Sequence, residues 1–197
     1  QMWNETGDVG LQQIYPGCCV GLSSNEKTLK IARNTFKMKE KYCYIDDNAI
    51  SSFYPMASRL GMNPTKTIQK FRELNKKRLM QNGLYRFVGG CLENCSIAAN
   101  MLNEMALQSF ENIIRIFPVW DKNYNCKYKN LRADGAFLVS SEIKNGEIIK
   151  TEIFSEKGSL LKIENPYKKV KINDKIYTEK IIQIPTKKEE KFIIVKA

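Results

Sequence analysis

"GGCLENCSIAANMLNEMALQSFENIIRIF", residues 89–117, decides how this chain is built. Two glycines run into a carboxylate, Glu93, and an amide, Asn94. From about Cys95 to Gln108 the spacing predicts a helix, with Asn94 suited to cap it. β-Branched residues then take over, and "IIRIF" (113–117) predicts a strand. A boundary therefore falls near Phe110, with helices before it and strands after it. The predicted class is α+β, with residues 1–109 helical and 110–197 an antiparallel β-sandwich.

Upstream, three more helices are expected. "SSNEKTLKIARNTFKM" (23–38) opens with Ser23 and Glu26 in capping-box spacing and places Leu29, Ala32 and Phe36 on one face. "NAISSFYPMASRLG" (48–61) contains Pro55 and stops at Gly61. "NPTKTIQKFRELNKKRLMQNG" (63–83) starts with Pro64, lines up Ile68, Phe71, Leu74 and Leu79, and ends at Gly83. Downstream, short strands are expected at 135–143, 147–154, 159–165, 169–172, 180–184 and 191–196, separated by turn signals. "KNGE" (144–147) is the strongest hairpin signal among them. "PVWDKNYNCKYKNLRA" (118–133) reads as one long loop, a kind of segment that is often functional.

Composition narrows the chemistry. The 197 residues include no histidine, which removes histidine-based triads, HExxH zinc sites and imidazole proton shuttles. Acid–base work would fall to Asp, Glu, Tyr, Cys or Lys. Six cysteines form no CxxC pair, so neither a four-cysteine zinc site nor another metal site is expected. They read as reduced core thiols, which lean towards a cytoplasmic setting. No cofactor is implied. The net charge of +11 is spread over both halves and carried mostly by lysine, whereas base and phosphate readout favours arginine forks. No nucleic-acid partner is expected. No apolar run is long enough to span a membrane. Gln1 and a start in mid-pattern read as a piece of a longer chain.

Glu93 is the foremost candidate for chemistry. A helix N-terminus keeps a nearby carboxylate ionised, which suits a general base but not a general acid. Simple dipole compensation would account for the same residue. Asp46 and Asp47 precede a helix and read as caps. Trp3 and Trp120 lie in polar, loop-like stretches, where an indole can stack on a sugar ring or cover a core edge.

"GLQQIYPG" (10–17), "IARNTF" (31–36), "ASRLG" (57–61), "GGCLENCS…NEMALQS" (89–109), "IIRIFPVW" (113–120) and "NLRADGAFLVS" (130–140) occur in the order and spacing of glycoside hydrolase family 95. The chain resembles that family over residues 4 to 160, most specifically over 89–140, and above all its uncharacterised relatives. The family contains α-L-fucosidases and α-L-galactosidases, with an (α/α)6 six-hairpin barrel followed by a β-sandwich. The resemblance implies an inverting hydrolase acting on oligosaccharides or glycosides. The family's catalytic Asp lies eleven residues before the Glu of an "EMLLQS"-like helix; here that position is Glu93. The resemblance therefore makes Glu93 the general base and Asn94 a helper, with Trp3, Glu5, Tyr85 and Trp120 as substrate-binding candidates.

Three features depart from the family. Glu replaces Asp. "NETGDVG" (4–10) stands where fucosidases carry histidines. The general acid and most barrel helices lie upstream of this chain. Four helices cannot close a six-hairpin barrel, so their inward faces would stay wet, pack on the sheet, or pair with another copy in a homo-oligomer. The chain alone is expected to be inactive. The alternative is a non-catalytic structural or carbohydrate-binding module.

Overall fold

A computed structural model describes residues 9–43, 50–86 and 92–197. The chain divides into two compact units between Met105 and Ala106. The first holds a 3-10 turn (Val9–Leu11) and four helices among its described residues: α1 (Glu26–Cys43), α2 (Ile50–Arg59), α3 (Pro64–Arg78) and α4, which runs from Leu92 to Ala106 at the division. The second holds ten strands, all short. The α+β class follows, with helices first and strands after.

The helix ends show where local signals compete. At α1 the cap is Asn25, whose side chain accepts the Thr28 amide at 2.9 Å. Ser23 and Glu26 had the right spacing for a capping box, but the adjacent Ser24 hydroxyl turns back to accept the Gly21 amide at 3.1 Å, which shifts the start by two residues. α2 ends as expected at Gly61, whose φ of +64° permits a paired closure: Gly61 N–H to Ser58 O and Met62 N–H to Ala57 O. α3 starts with Asn63 accepting the Lys66 amide at 2.9 Å and Pro64 in its first turn. Asn63→Ala is expected to cost about 1 kcal/mol, read as a lower unfolding midpoint of the helical signal.

Further boundaries differ from expectation: the fourth helix does not reach Gln108, since Leu107 and Gln108 pair as a strand with Ile116 and Arg115. α3 stops at Arg78, and Gly83 (φ +81°) instead turns a small loop in which Leu79 bridges Tyr85. Backbone bonds from Met80 N to Leu84 O (2.8 Å) and from Arg86 N to Arg78 O (2.6 Å) hold that loop. Leu79 is consequently half exposed rather than on the packed face of α3. α4 begins at Leu92, so Glu93 and Asn94 lie within its first turn rather than ahead of it.

The helical core is built from Leu11, Ile14, Ala32, Phe36, Phe53, Met56, Ala57 and Leu60, with Leu29 packed beside it. Phe36 of α1 stacks on Phe53 of α2 with ring centroids 3.9 Å apart. Tyr54 meets Phe71 of α3 edge-on at 5.3 Å.

In the second unit the strands are β1 (Leu107–Gln108), β2 (Arg115–Ile116), β3 (Cys126–Ala133), β4 (Phe137–Lys144), β5 (Glu147–Ser155), β6 (Leu160–Glu164), β7 (Val170–Ile172), β8 (Lys175–Tyr177), β9 (Ile181–Pro185) and β10 (Glu190–Lys196). Six form one antiparallel sheet in the order β3-β4-β5-β10-β7-β8; β6 pairs with β9, and β1 with β2. One parallel bridge joins Ile114 to Ile163. Alternation puts Val139, Ile153 and Phe192 in one cross-strand row and Ile172 opposite Ile194. These side chains meet Leu161, Ile163 and Ile182 of the β6–β9 pair and Leu107 and Ile116 of the β1–β2 pair in a single core. The "KNGE" turn forms with Asn145 at φ +53° and Gly146 at φ +78°, both in the left-handed region that a two-residue hairpin of this hand requires.

The expected long loop 118–133 is half strand. Residues 126–133 form β3, whose pairing with β4 slips between Tyr128 and Leu131. Asn130, at φ +55°, takes up the extra length. That bulge, among lysines, breaks the alternation that would have marked the strand.

Candidate functional site

Of the residues singled out from sequence, Trp3, Glu5, Asp46, Asp47, Gly89 and Gly90 lie outside the described residues. Glu93 and Asn94 fall in the first turn of α4. Eleven residues on, Glu104 lies on the same side of the helix, since eleven steps of about 100° make three turns plus about 20°.

Around Glu104 the structure draws several of the quoted stretches together. Arg59, at the end of α2, is 6% exposed and Glu104 8%. Arg59 Nη2 donates to Glu104 Oε1 at 2.7 Å. Its Nη1 donates to the Ile14 carbonyl at 2.9 Å and reaches Cys18 Sγ at 3.2 Å. The guanidinium also sits 4.7 Å from the centroid of the Tyr15 ring. Burial works against the charge on Arg59, but the hydrogen bond and charge of Glu104 outweigh it and hold the guanidinium's pKa above its ordinary value. Arg33 of α1 adds a second stitch, donating from Nε to the Leu60 carbonyl at 2.7 Å. A side chain at Gly61 would meet Arg33 Nη2 and Leu22 Cδ2, each at 3.1 Å, so the space is tight, and the φ of +64° strains any other residue there. "IYPG", "IARNTF", "ASRLG" and "NEMALQS" are thus one connected cluster, with a cis Tyr15–Pro16 bond in the first of them.

Sequence reasoning missed Arg59 and Arg33 and used Glu104 only as a counting mark. The available signal was an arginine inside "YPMASRLG" and a glutamate inside "NEMALQ", each a charge in an apolar run. Such charges are seldom buried unless paired.

The other candidates have structural partners. Tyr85 is buried, and its hydroxyl hydrogen-bonds Asn75 Oδ1 of α3 at 2.6 Å, which pins the 79–86 loop to the helix. Trp120 donates Nε1–H to the Tyr124 carbonyl at 2.9 Å and sets its ring edge-on to Phe117 at 5.8 Å, covering a margin of the second unit's core. Cys18 and Cys19 are exposed, not core thiols: they sit on the turn after Pro16, with their thiols against the Pro16 and Gly17 carbonyls. Cys126 is half-buried, and burial pushes its thiol pKa up. Among the described residues no cluster of three or more Cys, Asp or Glu side chains is placed to hold a metal, and no helix is long and apolar enough to cross a membrane.

The second unit has its own arginine clamp. Arg115, from "IIRIFPVW", is buried, donates from Nε to Glu164 at 2.7 Å and forms an ion pair with Glu111 at 2.6 Å. Arg132, from "NLRADG", pairs with Glu156. No protein-family model and no curated protein matches this chain.

Proposed function

We propose that this chain is the C-terminal part of a glycosidase resembling glycoside hydrolase family 95. In this reading α1–α4 are a share of an (α/α)6 barrel and the second unit is its β-sandwich. The parent enzyme hydrolyses an α-L-fucoside, an α-L-galactoside or a similar glycosidic bond with inversion. Glu93 is its general base, and Asn94 helps to place the attacking water.

The observation that carries this reading is the Arg59 cluster. Four motifs chosen from sequence for their order and spacing converge on two arginines and Glu104, eleven residues from Glu93. An inverting base must stay ionised and leave room for water opposite the acid, with carboxyl groups roughly 6.5–9.5 Å apart. A carboxylate in the first turn of a helix meets the first requirement through the free N–H groups and the dipole there. The acid would come from upstream. A role for Glu93 in balancing the dipole of α4 and nothing more is the reading left if this one fails.

Hydrolysis of aryl α-L-fucosides and α-L-galactosides tests the proposal. The chain alone is expected to give no turnover. Joined to the upstream helices of its own gene, it is expected to hydrolyse one of them, releasing first the anomer of inverted configuration as read by NMR. Turnover by the chain alone, or release with retained configuration, would refute this assignment.

A further inference from the structure

The outer face of the six-stranded sheet carries a feature the helical cluster does not use. An open hollow of about 490 Å³ lies across β3, β4, β5 and β10. A second, of about 370 Å³, adjoins it across β3, β4 and β5. The two share Lys129, Ser140 and Glu152, so together they form one trough. Either hollow alone is within the range of small-ligand sites. The pairing puts Ser140 opposite Glu152, Glu152 opposite Ile193, and Leu138 opposite Phe154, Phe154 opposite Lys191. The trough thus has a hydroxyl and a carboxylate at its middle and an apolar floor toward one end.

Its charge is unbalanced. Lys127, Lys129, Lys150 and Lys191 face only Glu142 and Glu152. Lys127 pairs with Glu142 at 3.3 Å, and Lys150 pairs with Glu152. The hydrogen bond and charge of Lys150, with Lys191 and Lys129 near, hold the Glu152 carboxyl below the usual carboxylate range. Two lysine charges remain in excess, those of Lys129 and Lys191, one at each flank of the floor. Lys191 Nζ stands 6.0 Å from the Phe154 ring centroid, and Ile193 beside it is half exposed.

We propose that this trough binds an acidic oligosaccharide, a chain of sugars bearing carboxylates. Lys129 and Lys191 would take the carboxylates, Ser140 and Glu152 the ring hydroxyls, and Phe154 with Ile193 the apolar face of a ring. A neutral sugar would leave the two excess lysines without a counter-charge. A nucleic acid would want a row of exposed rings for base stacking, and of the trough's rings Phe192 is in the core and Tyr128 packs against it, which leaves Phe154. The choice of carbohydrate among polyanions rests on the glycosidase reading; the charge and shape do not.

Retention of the whole chain in native gels containing polygalacturonate tests it. Retardation is expected with polygalacturonate and not with dextran. The double variant Lys129→Gln/Lys191→Gln should weaken it roughly tenfold, each single variant by less, as exposed charge contacts are lost. Lys175→Gln/Lys180→Gln, the same charge loss on residues that do not line the trough, should leave it unchanged. All four lysines are exposed, and circular dichroism of each variant checks the fold. Absence of retardation, equal weakening by the two double variants, or equally tight binding of oligothymidylate or polyglutamate would overturn the proposal. The gel reads the trough and no catalysis, so its failure is separable from a failure of the glycosidase assay, which reads Glu93.

Discussion

Arg59→Ala is expected to destabilise the helical unit by about 3–5 kcal/mol, the usual result of leaving one partner of a buried ion pair without the other. Glu104 would keep its burial and lose the donor at 2.7 Å. The Ile14 carbonyl would lose a donor at 2.9 Å, and the Tyr15 ring the cation at 4.7 Å. A domain is typically stable by only about 5–15 kcal/mol, so the loss is a large fraction of the unit's stability. Urea unfolding followed by helical circular dichroism measures the shift. With Trp3 replaced by Phe, tryptophan fluorescence reports Trp120 of the second unit, whose ring packs on Phe117, and that transition should shift less than the helical one. The double variant Arg59→Met/Glu104→Met should recover much of the loss, because neither charge of the pair then remains to be buried. A loss below about 1 kcal/mol in the single variant would contradict the burial and pairing described here.

Glu93→Gln separates chemistry from capping. If the proposed assignment holds, the substitution in the barrel-complete protein it implies should lower turnover by roughly 10²–10⁴-fold, the range general acid–base groups contribute. It should cost the helix only about 0.3–1 kcal/mol, the value of a carboxylate at a helix N-terminus. Turnover and urea unfolding measured on the same variant give both numbers. A large rate loss with small stability loss supports the base. Unchanged turnover with the same small stability loss would leave Glu93 a dipole partner.

Much of the fold could be read along the chain because its signals are local. Ala32 and Phe36 share a helical face by spacing alone, and both are buried. Asn145-Gly146 demands a left-handed turn, and the two residues adopt one. Where two local signals compete, spacing is not enough. Ser23–Glu26 and Asn25 both suit the start of α1, and the polar groups that happened to meet decided for Asn25. Gly83 suits a helix stop and a turn equally, and the pairing of Leu79 with Tyr85 decided for the turn. β3 was hidden because a bulge at Tyr128–Leu131 shifts the period of two by which a strand is recognised.

By itself, then, the sequence determined the order of elements, helices before strands, and placed a carboxylate at the start of the fourth helix. These depend on neighbours within a few residues, where spacing stands in for distance. Only the tertiary structure decided that Arg59 belongs to Glu104, 45 residues away, and to Ile14, equally far in the other direction. The same holds for the trough, in which Lys129 and Lys191 meet around Glu152 only because β10 returns to pair with β5. A charge buried or gathered this way is stabilised by partners that no local pattern announces, since the chain between them is free to vary while the contact is not.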